Sequence, residues 1–243
     1  MAQHGTSKIS GPIILALENS SQCGSVALVA HGVCLAEYSL TTATTHSRRL
    51  LTSIQQIMEE TDTSWERISA IAVSAGPGSF TGLRIGLTTA KGLAMATGKP
   101  LIAVSSLTTL ACQLPWTDRL ICPVQDARKQ EVYTAFYRCD DDGVPRRISE
   151  IVAITPQELA KAIKEDVIFL GDGTRIYRDV FEEGGEGGRV SFASPEIFFL
   201  RAAALGASAL GKWHKQDFLD TKNSIPDYIR PSEAEISLKQ PGR

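Results

Sequence analysis

The sequence predicts an α/β protein in which one β-β-β-α-β-α plan is used twice, and three observations carry that expectation. Short apolar runs read as strands at 13–17, 25–30 and 33–40, and again at 121–124, 132–137 and 148–154, so each half opens with a three-strand meander. A helical stretch follows each meander, at 44–60 and 156–164. A glycine turn then closes the next strand in both halves: Gly76-Pro77-Gly78 after 68–73, and Gly171-Asp172-Gly173 after 167–170.

Taken in order, the first strand ends in the turn-prone residues 18–24, and His31-Gly32 between the second and third strands is a tight hairpin signal. Leu50, Leu51, Ile54, Ile57 and Met58 form one apolar stripe in the helix at 44–60. After the glycine turn, Leu83, Leu87, Ala90 and Ala94 recur at helical spacing, and residues 100–104 make another strand. Ser105 and Ser106 cap a short helix expected to reach Leu114. In the second half, Thr155-Pro156-Gln157-Glu158 has Thr at the N-cap, Pro at the first helical position and Glu three residues after the cap, which predicts a capping box. A helix from about 175 to 181 ends in the glycine-rich loop 184–188, and Ser194-Pro195-Glu196 opens a last, alanine-rich helix through His214. An extended segment at 225–230 and a polar tail complete the chain. The expected division is an N-terminal extension at 1–12, subdomains at 13–115 and 116–230, and a tail at 231–243, with helix 195–214 available to pack back on the first subdomain. Duplication of this plan fits the actin-like (ribonuclease H-like) fold of sugar kinases and chaperone ATPases, in which nucleotide lies between the halves against the meander turns and glycine turns.

Composition narrows the function classes. The 243 residues are 43% hydrophobic, ordinary for a globular protein. Lys and Arg number 25 against 27 Asp and Glu, so the net charge of −2 offers no overall basic field for nucleic acid, and an RNA role requires a local patch or a partner. Five cysteines, never spaced C-x-x-C, argue against a disulfide framework or zinc knuckle and fit a reducing cytoplasm. The first twelve residues lack the basic start and apolar core of a signal peptide, and no apolar run approaches the ~20 residues of a membrane span. The histidines at 4, 31, 46 and 214 form no H-x-x-x-H pair, so no metal site is expected.

Residues 74–99 are the stretch in which chemistry would be sought. Counted from Gly76, the third position of G-x-G-x-x-G is Thr81; the P-loop positions hold Thr81 and Gly82 with no lysine; and a G-x-S-x-G elbow between Gly78 and Gly82 would centre on Phe80. None of the three motifs is complete. Gly82, Gly86 and Gly92 each weaken a helix by roughly 1 kcal/mol against Ala. Gly82, Gly86 and Ala90 recur every four residues as a bare ridge, expected to receive either the chain's own sheet or a second protein. Glu18 and Asp126 follow equivalent strands and are candidates to orient a metal-bound phosphate; the plainer alternative is turn capping by Asp126 and a solvated Glu18. Arg84, in the first helical turn, suits a phosphate, a partner carboxylate or a solvated face.

The blocks 74–86 (SAGPGSFTGLRIG), 46–51 (HSRRLL), 126–133 (DARKQEVY) and 228–231 (YIRP) closely resemble the TsaB (YeaZ-like) family. That resemblance implies a non-catalytic scaffold subunit. It would bind and activate TsaD, the enzyme that transfers a threonylcarbamoyl group to N6 of adenosine 37 in tRNA. It also implies contact with TsaE through TsaD, a homodimer when alone, tRNA only through the complex, no membrane and no cofactor, ATP or ADP belonging to the complex. The partner face is expected at His46, Leu50, Leu51, Ile54, Met58, Gly82, Leu83, Arg84, Gly86, Leu87 and Ala90. A weak nucleotide site is expected at Glu18, Gly76, Gly78, Ser79 and Asp126. Glu18-Asn19-Ser20 departs from the Asp-Thr common in relatives. The alternatives are an actin-like ATP-binding enzyme or a peptidase of the glycoprotease-like family acting alone.

Overall fold

The computed structural model describes residues 11–41, 46–185 and 187–221, together with 225 and 229. The polar tail, nearly all of the N-terminal extension and most of the segment expected at 225–230 lie outside the described residues.

The first half comprises β1 (Ile13–Glu18), β2 (Cys23–Ala30), β3 (Val33–Thr41), α1 (His46–Glu60), β4 (Ile68–Gly76), α2 (Phe80–Thr97), β5 (Leu101–Ser105) and α3 (Ser106–Ala111). Its sheet has the order β3-β2-β1-β4-β5. β1 runs antiparallel to β2 and parallel to β4, with Leu17 opposite both Val26 and Val73. His31 and Gly32 both have positive φ, 51° and 77°, the backbone that a two-residue hairpin turn requires. β1 is buried on both faces because alternate residues serve two layers: Ile13, Leu15 and Leu17 pack with Leu50, Ile54, Ile57, Leu87 and Ala90 of α1 and α2, while Ile14 and Ala16 face the other way.

The second half comprises β6 (Leu120–Asp126), β7 (Val132–Thr134), β8 (Tyr137–Cys139), β9 (Pro145–Arg147), β10 (Val152–Ile154), α4 (Pro156–Ala162), β11 (Val167–Leu170), α5 (Gly173–Ile176), α6 (Arg178–Gly184), β12 (Val190–Phe192) and α7 (Ala202–His214). Its main path, β10-β7-β6-β11-β12, repeats the order of the first sheet. The strand senses repeat as well: β6 is antiparallel to β7 and parallel to β11, and β11 is parallel to β12. This is the duplicated actin-like architecture. The capping box at α4 is present, Thr155 Oγ1 accepting from Glu158 N and Thr155 N–H donating to Glu158 Oε2.

α3 ends at Ala111 rather than Leu114, the helix expected at 175–181 is divided into α5 and α6, and three further details differ from expectation. The strand expected at 132–137 is two strands, because Phe136 N–H donates to Ser149 Oγ and Phe136 O accepts from Ile148 N, replacing ladder bonds at that point. The same bonds hold 148–149 out of the third strand, which begins at Val152. The last helix starts at Ala202, not at Ser194-Pro195. Pro195–Ile197 forms one 3-10 turn, and buried Phe198 and Leu200 then draw the chain out of helical geometry, Leu200 into the core beneath α3.

α7 crosses to the first sheet and packs Leu205, Ala209 and Leu210 on its alanine-rich face, Ile14, Ala16, Ala27, Val29, Ala70 and Ala72. Small residues permit that approach: a Cβ on Gly206 would lie 2.6 Å from Val29 Cγ2. Glu37 of β3 caps the helix, accepting from Ala203 N at 2.9 Å and pairing with Arg201, while Ser25 Oγ accepts from Ala202 N. α3 packs Leu107, Leu110 and Ala111 against Ile121, Tyr137 and Leu170, joining the halves through a shared apolar core.

Candidate functional site at the junction of the halves

The carboxyl ends of β1 and β4 lie side by side in the first sheet and those of β6 and β11 in the second, where an open α/β sheet places its ligands, and Ser106 ties the two ends together. β1 ends in Glu18, which has no exposed surface. Its Oε1 accepts from Ser20 N–H at 2.6 Å and Ser20 Oγ at 2.5 Å. Its Oε2 is buried without a hydrogen bond, as is Ser74 Oγ, the next position along β4. Burial pushes the Glu18 carboxyl above the usual carboxylate range, against the lowering effect of its bonds to Ser20. The expectation of a solvated Glu18 is therefore corrected: continuity with the buried strand β1 carries the carboxyl inside.

The glycine turn after β4 closes onto this β1–β2 turn. Ser79 N–H donates to Ser20 O at 2.7 Å, and Gly78, at φ 154°, comes so close that a Cβ would lie 2.3 Å from the same oxygen. Ser79 Oγ caps α2 by accepting from Gly82 N at 3.3 Å, and Asn19 Nδ2 donates to Gly82 O at 3.0 Å. A Cβ on Gly82 would sit 2.0 Å from Asn19 O. The N–H groups of Ser79 and Gly82, which a phosphate would need, are thus engaged by the chain itself.

In the second half, Asp126 ends β6, accepting from Arg128 N–H at 2.9 Å and forming an ion pair with its guanidinium at 3.2 Å. Asp126 N–H donates to Asp172 Oδ1 at 3.1 Å. Asp172 is largely buried, and burial raises its carboxyl above the ordinary range. Ser106 Oγ of α3 lies within hydrogen-bond reach of Pro77 O and, at 2.8 Å, of Gln125 Oε1, tying the glycine turn to β6. Among the described residues no three His, Cys, Asp or Glu side chains are grouped to hold a metal ion.

Residues 40–238 match the family model described as TsaD: tRNA N6-adenosine threonylcarbamoyltransferase. Over 228 residues the chain is 33% identical to the tRNA threonylcarbamoyladenosine biosynthesis protein TsaB of Bacillus subtilis (strain 168), an alignment that covers 91% of this chain and 96% of that relative. The chain belongs to the TsaB family. The solved structure of YeaZ from Pseudomonas aeruginosa superposes with a TM-score of 0.77 at 27% identity, covering 89% of this chain and 99% of that one. Component A of the (R)-2-hydroxyglutaryl-CoA dehydratase of Acidaminococcus fermentans shares the fold alone, with a TM-score of 0.50 at 12% identity, over 83% of this chain and 99% of that one.

Within this TsaB-family chain the residues expected at a nucleotide site divide in two: Glu18, Gly76, Gly78 and Ser79 come together in the first half, and Asp126 stands in the second, linked to them through Ser106 and Gln125. The residues expected at a partner face are mostly internal. Gly82, Gly86 and Ala90 face Asn19, Val73 and the first core, so the ridge receives the chain's own turn and sheet rather than a second protein. Leu83 and Leu87 of α2, and Leu50, Ile54 and Met58 of α1, are buried as well. The physical reason is that a helix lying on a sheet buries its apolar stripe there, and the small ridge brings α2 against the β1–β2 turn. Of the expected face, Leu51 (54% exposed) and Arg84 remain outside, joined by Gln55 on α1 and Thr88 and Met95 on α2. The Arg84 guanidinium lies over the Phe80 ring, 3.9 Å from its centroid. The His46 side chain lies outside the described residues.

Sequence reading missed Asn19, Ser20, Ser74, Ser106 and Asp172. Their only signal was membership of turns or strand ends; pairings such as Asn19 with Gly82, 63 positions apart, leave no local pattern. Gly92, like Gly211 of α7, is a helix glycine with open space around its Cβ position, nothing lying within 4 Å. Gly92→Ala is expected to raise stability by about 1 kcal/mol, measured by urea unfolding.

Proposed function

We propose that this chain is a non-catalytic subunit of the machinery that makes threonylcarbamoyladenosine in tRNA, binding and activating a TsaD-type transferase. The carrying observation is the closure of the glycine turn on the β1–β2 turn, where Ser20 O takes the Ser79 N–H and Asn19 abuts Gly82. A phosphate arriving there would have to displace backbone hydrogen bonds, so the isolated chain binds ATP weakly, and nucleotide chemistry belongs to the partner. The family relationship supports the pathway, and the half-exposed Leu51 with Gln55, Arg84, Thr88 and Met95 supplies an outer α1–α2 surface for TsaD. The same surface joins two copies when TsaD is absent. TsaE and tRNA are met through the TsaD complex, in the cytoplasm. No helix among the described residues is long and apolar enough to cross a membrane.

Leu51→Asp and Thr88→Arg leave the core untouched and place a charge on that outer surface. Each is expected to weaken association with TsaD by about tenfold or more in calorimetric titration, with melting temperature unchanged. Unaltered affinity in both would move the contact elsewhere on the chain.

A further inference from the structure

We propose that Trp116 and the carboxylates around it form a docking site for an arginine- or lysine-bearing segment of a partner protein. Trp116 is 74% exposed, the most exposed of the large hydrophobic side chains described, yet it is held firmly. Its backbone is left-handed, φ 61°, and its N–H donates to Gly143 O at 3.0 Å. The indole lies directly against Gly143 at the β8–β9 turn: a Cβ there would be 2.2 Å from Trp116 Cδ2. The indole thereby packs on a residue with no side chain while most of its surface stays exposed. An indole already packed on the fold loses less freedom on binding than a free one, the property of an aromatic anchor.

The charge around it selects the ligand. Asp118 follows Trp116 in the same loop, and Asp141 and Asp142 precede Gly143 in the turn beneath the ring; all three are exposed. None forms an ion pair among the described residues. Two neighbouring cations are directed elsewhere, Arg146 to Asp140 at 2.7 Å and Arg119 to Ser191 Oγ at 3.0 Å. An indole face rimmed by unpaired carboxylates attracts a guanidinium or ammonium group through both the ring quadrupole and the charges. The same carboxylates repel RNA phosphates. They also oppose a twofold contact between copies, which would set Asp118, Asp141 and Asp142 against their own equivalents.

The test titrates the full chain with an acetylated hexa-arginine peptide at low salt, reading tryptophan emission and heat, with hexaglutamate and a single-stranded RNA oligomer as controls. Hexa-arginine is expected to bind and change the emission, the controls to do neither. Trp116→Ala and the double variant Asp141→Asn/Asp142→Asn, which keeps the indole, should each weaken binding by about tenfold or more with unchanged melting temperature. Equal binding by both variants, binding of RNA at this site, or conversion of a dimer to monomer by Trp116→Ala would overturn the proposal.

Discussion

Gly82→Ala is expected to lower the stability of this chain by about 3 kcal/mol, because its new methyl group meets backbone, which cannot rotate away. The Cβ would be 2.0 Å from Asn19 O, in a turn already fixed by Ser20 O to Ser79 N–H and by Asn19 Nδ2 to Gly82 O. Relief requires moving either α2 or the β1–β2 turn, and both are built into the first core. Helix propensity alone predicts the opposite sign, a gain of roughly 1 kcal/mol. Urea unfolding at neutral pH separates the two. Gly86→Ala is the control within the same helix: its Cβ would meet Asn19 Cβ at 3.4 Å and Val73 Cγ2 at 3.7 Å, ordinary contacts, so it should keep the propensity gain of about 1 kcal/mol.

Glu18→Gln is expected to stabilise the chain by about 2 kcal/mol at pH 7. Glu18 Oε1 is satisfied by Ser20, but Oε2 and Ser74 Oγ are both buried without partners. A glutamine keeps the acceptor for Ser20 and can turn one amide N–H toward Ser74 Oγ, removing the cost of ionising a buried carboxyl. The sign of the pH dependence follows from the raised carboxyl. The native chain holds the Glu18 proton more tightly than the unfolded chain, so the Glu18 contribution is most favourable below the ordinary carboxylate range and is lost as pH rises through the raised native value. The advantage of Glu18→Gln should therefore be large at pH 7 and shrink toward pH 4 in parallel urea titrations. A variant less stable than the parent at pH 7, or a gap independent of pH, would show that Glu18 has charged partners its surroundings do not display.

The sequence made the frame legible because its signals were local. The hairpin at His31-Gly32, the capping box at Thr155 and the strand–turn–helix around Gly76 all appear where expected. Duplication was legible because both halves carry the same order of such signals. What escaped was set by distant contacts. β12, three residues long, exists because Val190–Phe192 pairs with β11, and nothing in three residues announces a strand. Phe198 and Leu200 interrupt an apparently continuous helix because both are buried, Leu200 in the core beneath α3. The glycine ridge shows the limit most clearly: a repeat of four identifies a bare stripe on α2 but not what it touches, and Asn19, far away in sequence, decided that it faces inward. Glu18 was misread for the same reason, since its burial belongs to the strands on either side of it.

The central claim, that this chain supports tRNA modification without performing it, is tested most directly by reconstitution. The chain is mixed with threonine, bicarbonate, ATP, tRNA and the enzyme that forms the threonylcarbamoyl adenylate, with and without TsaD, and nucleosides from the digested tRNA are identified by mass spectrometry. The account predicts threonylcarbamoyladenosine only when TsaD is present, and less of it when Leu51→Asp replaces the parent chain. Threonylcarbamoyladenosine formed by the chain without TsaD would contradict it.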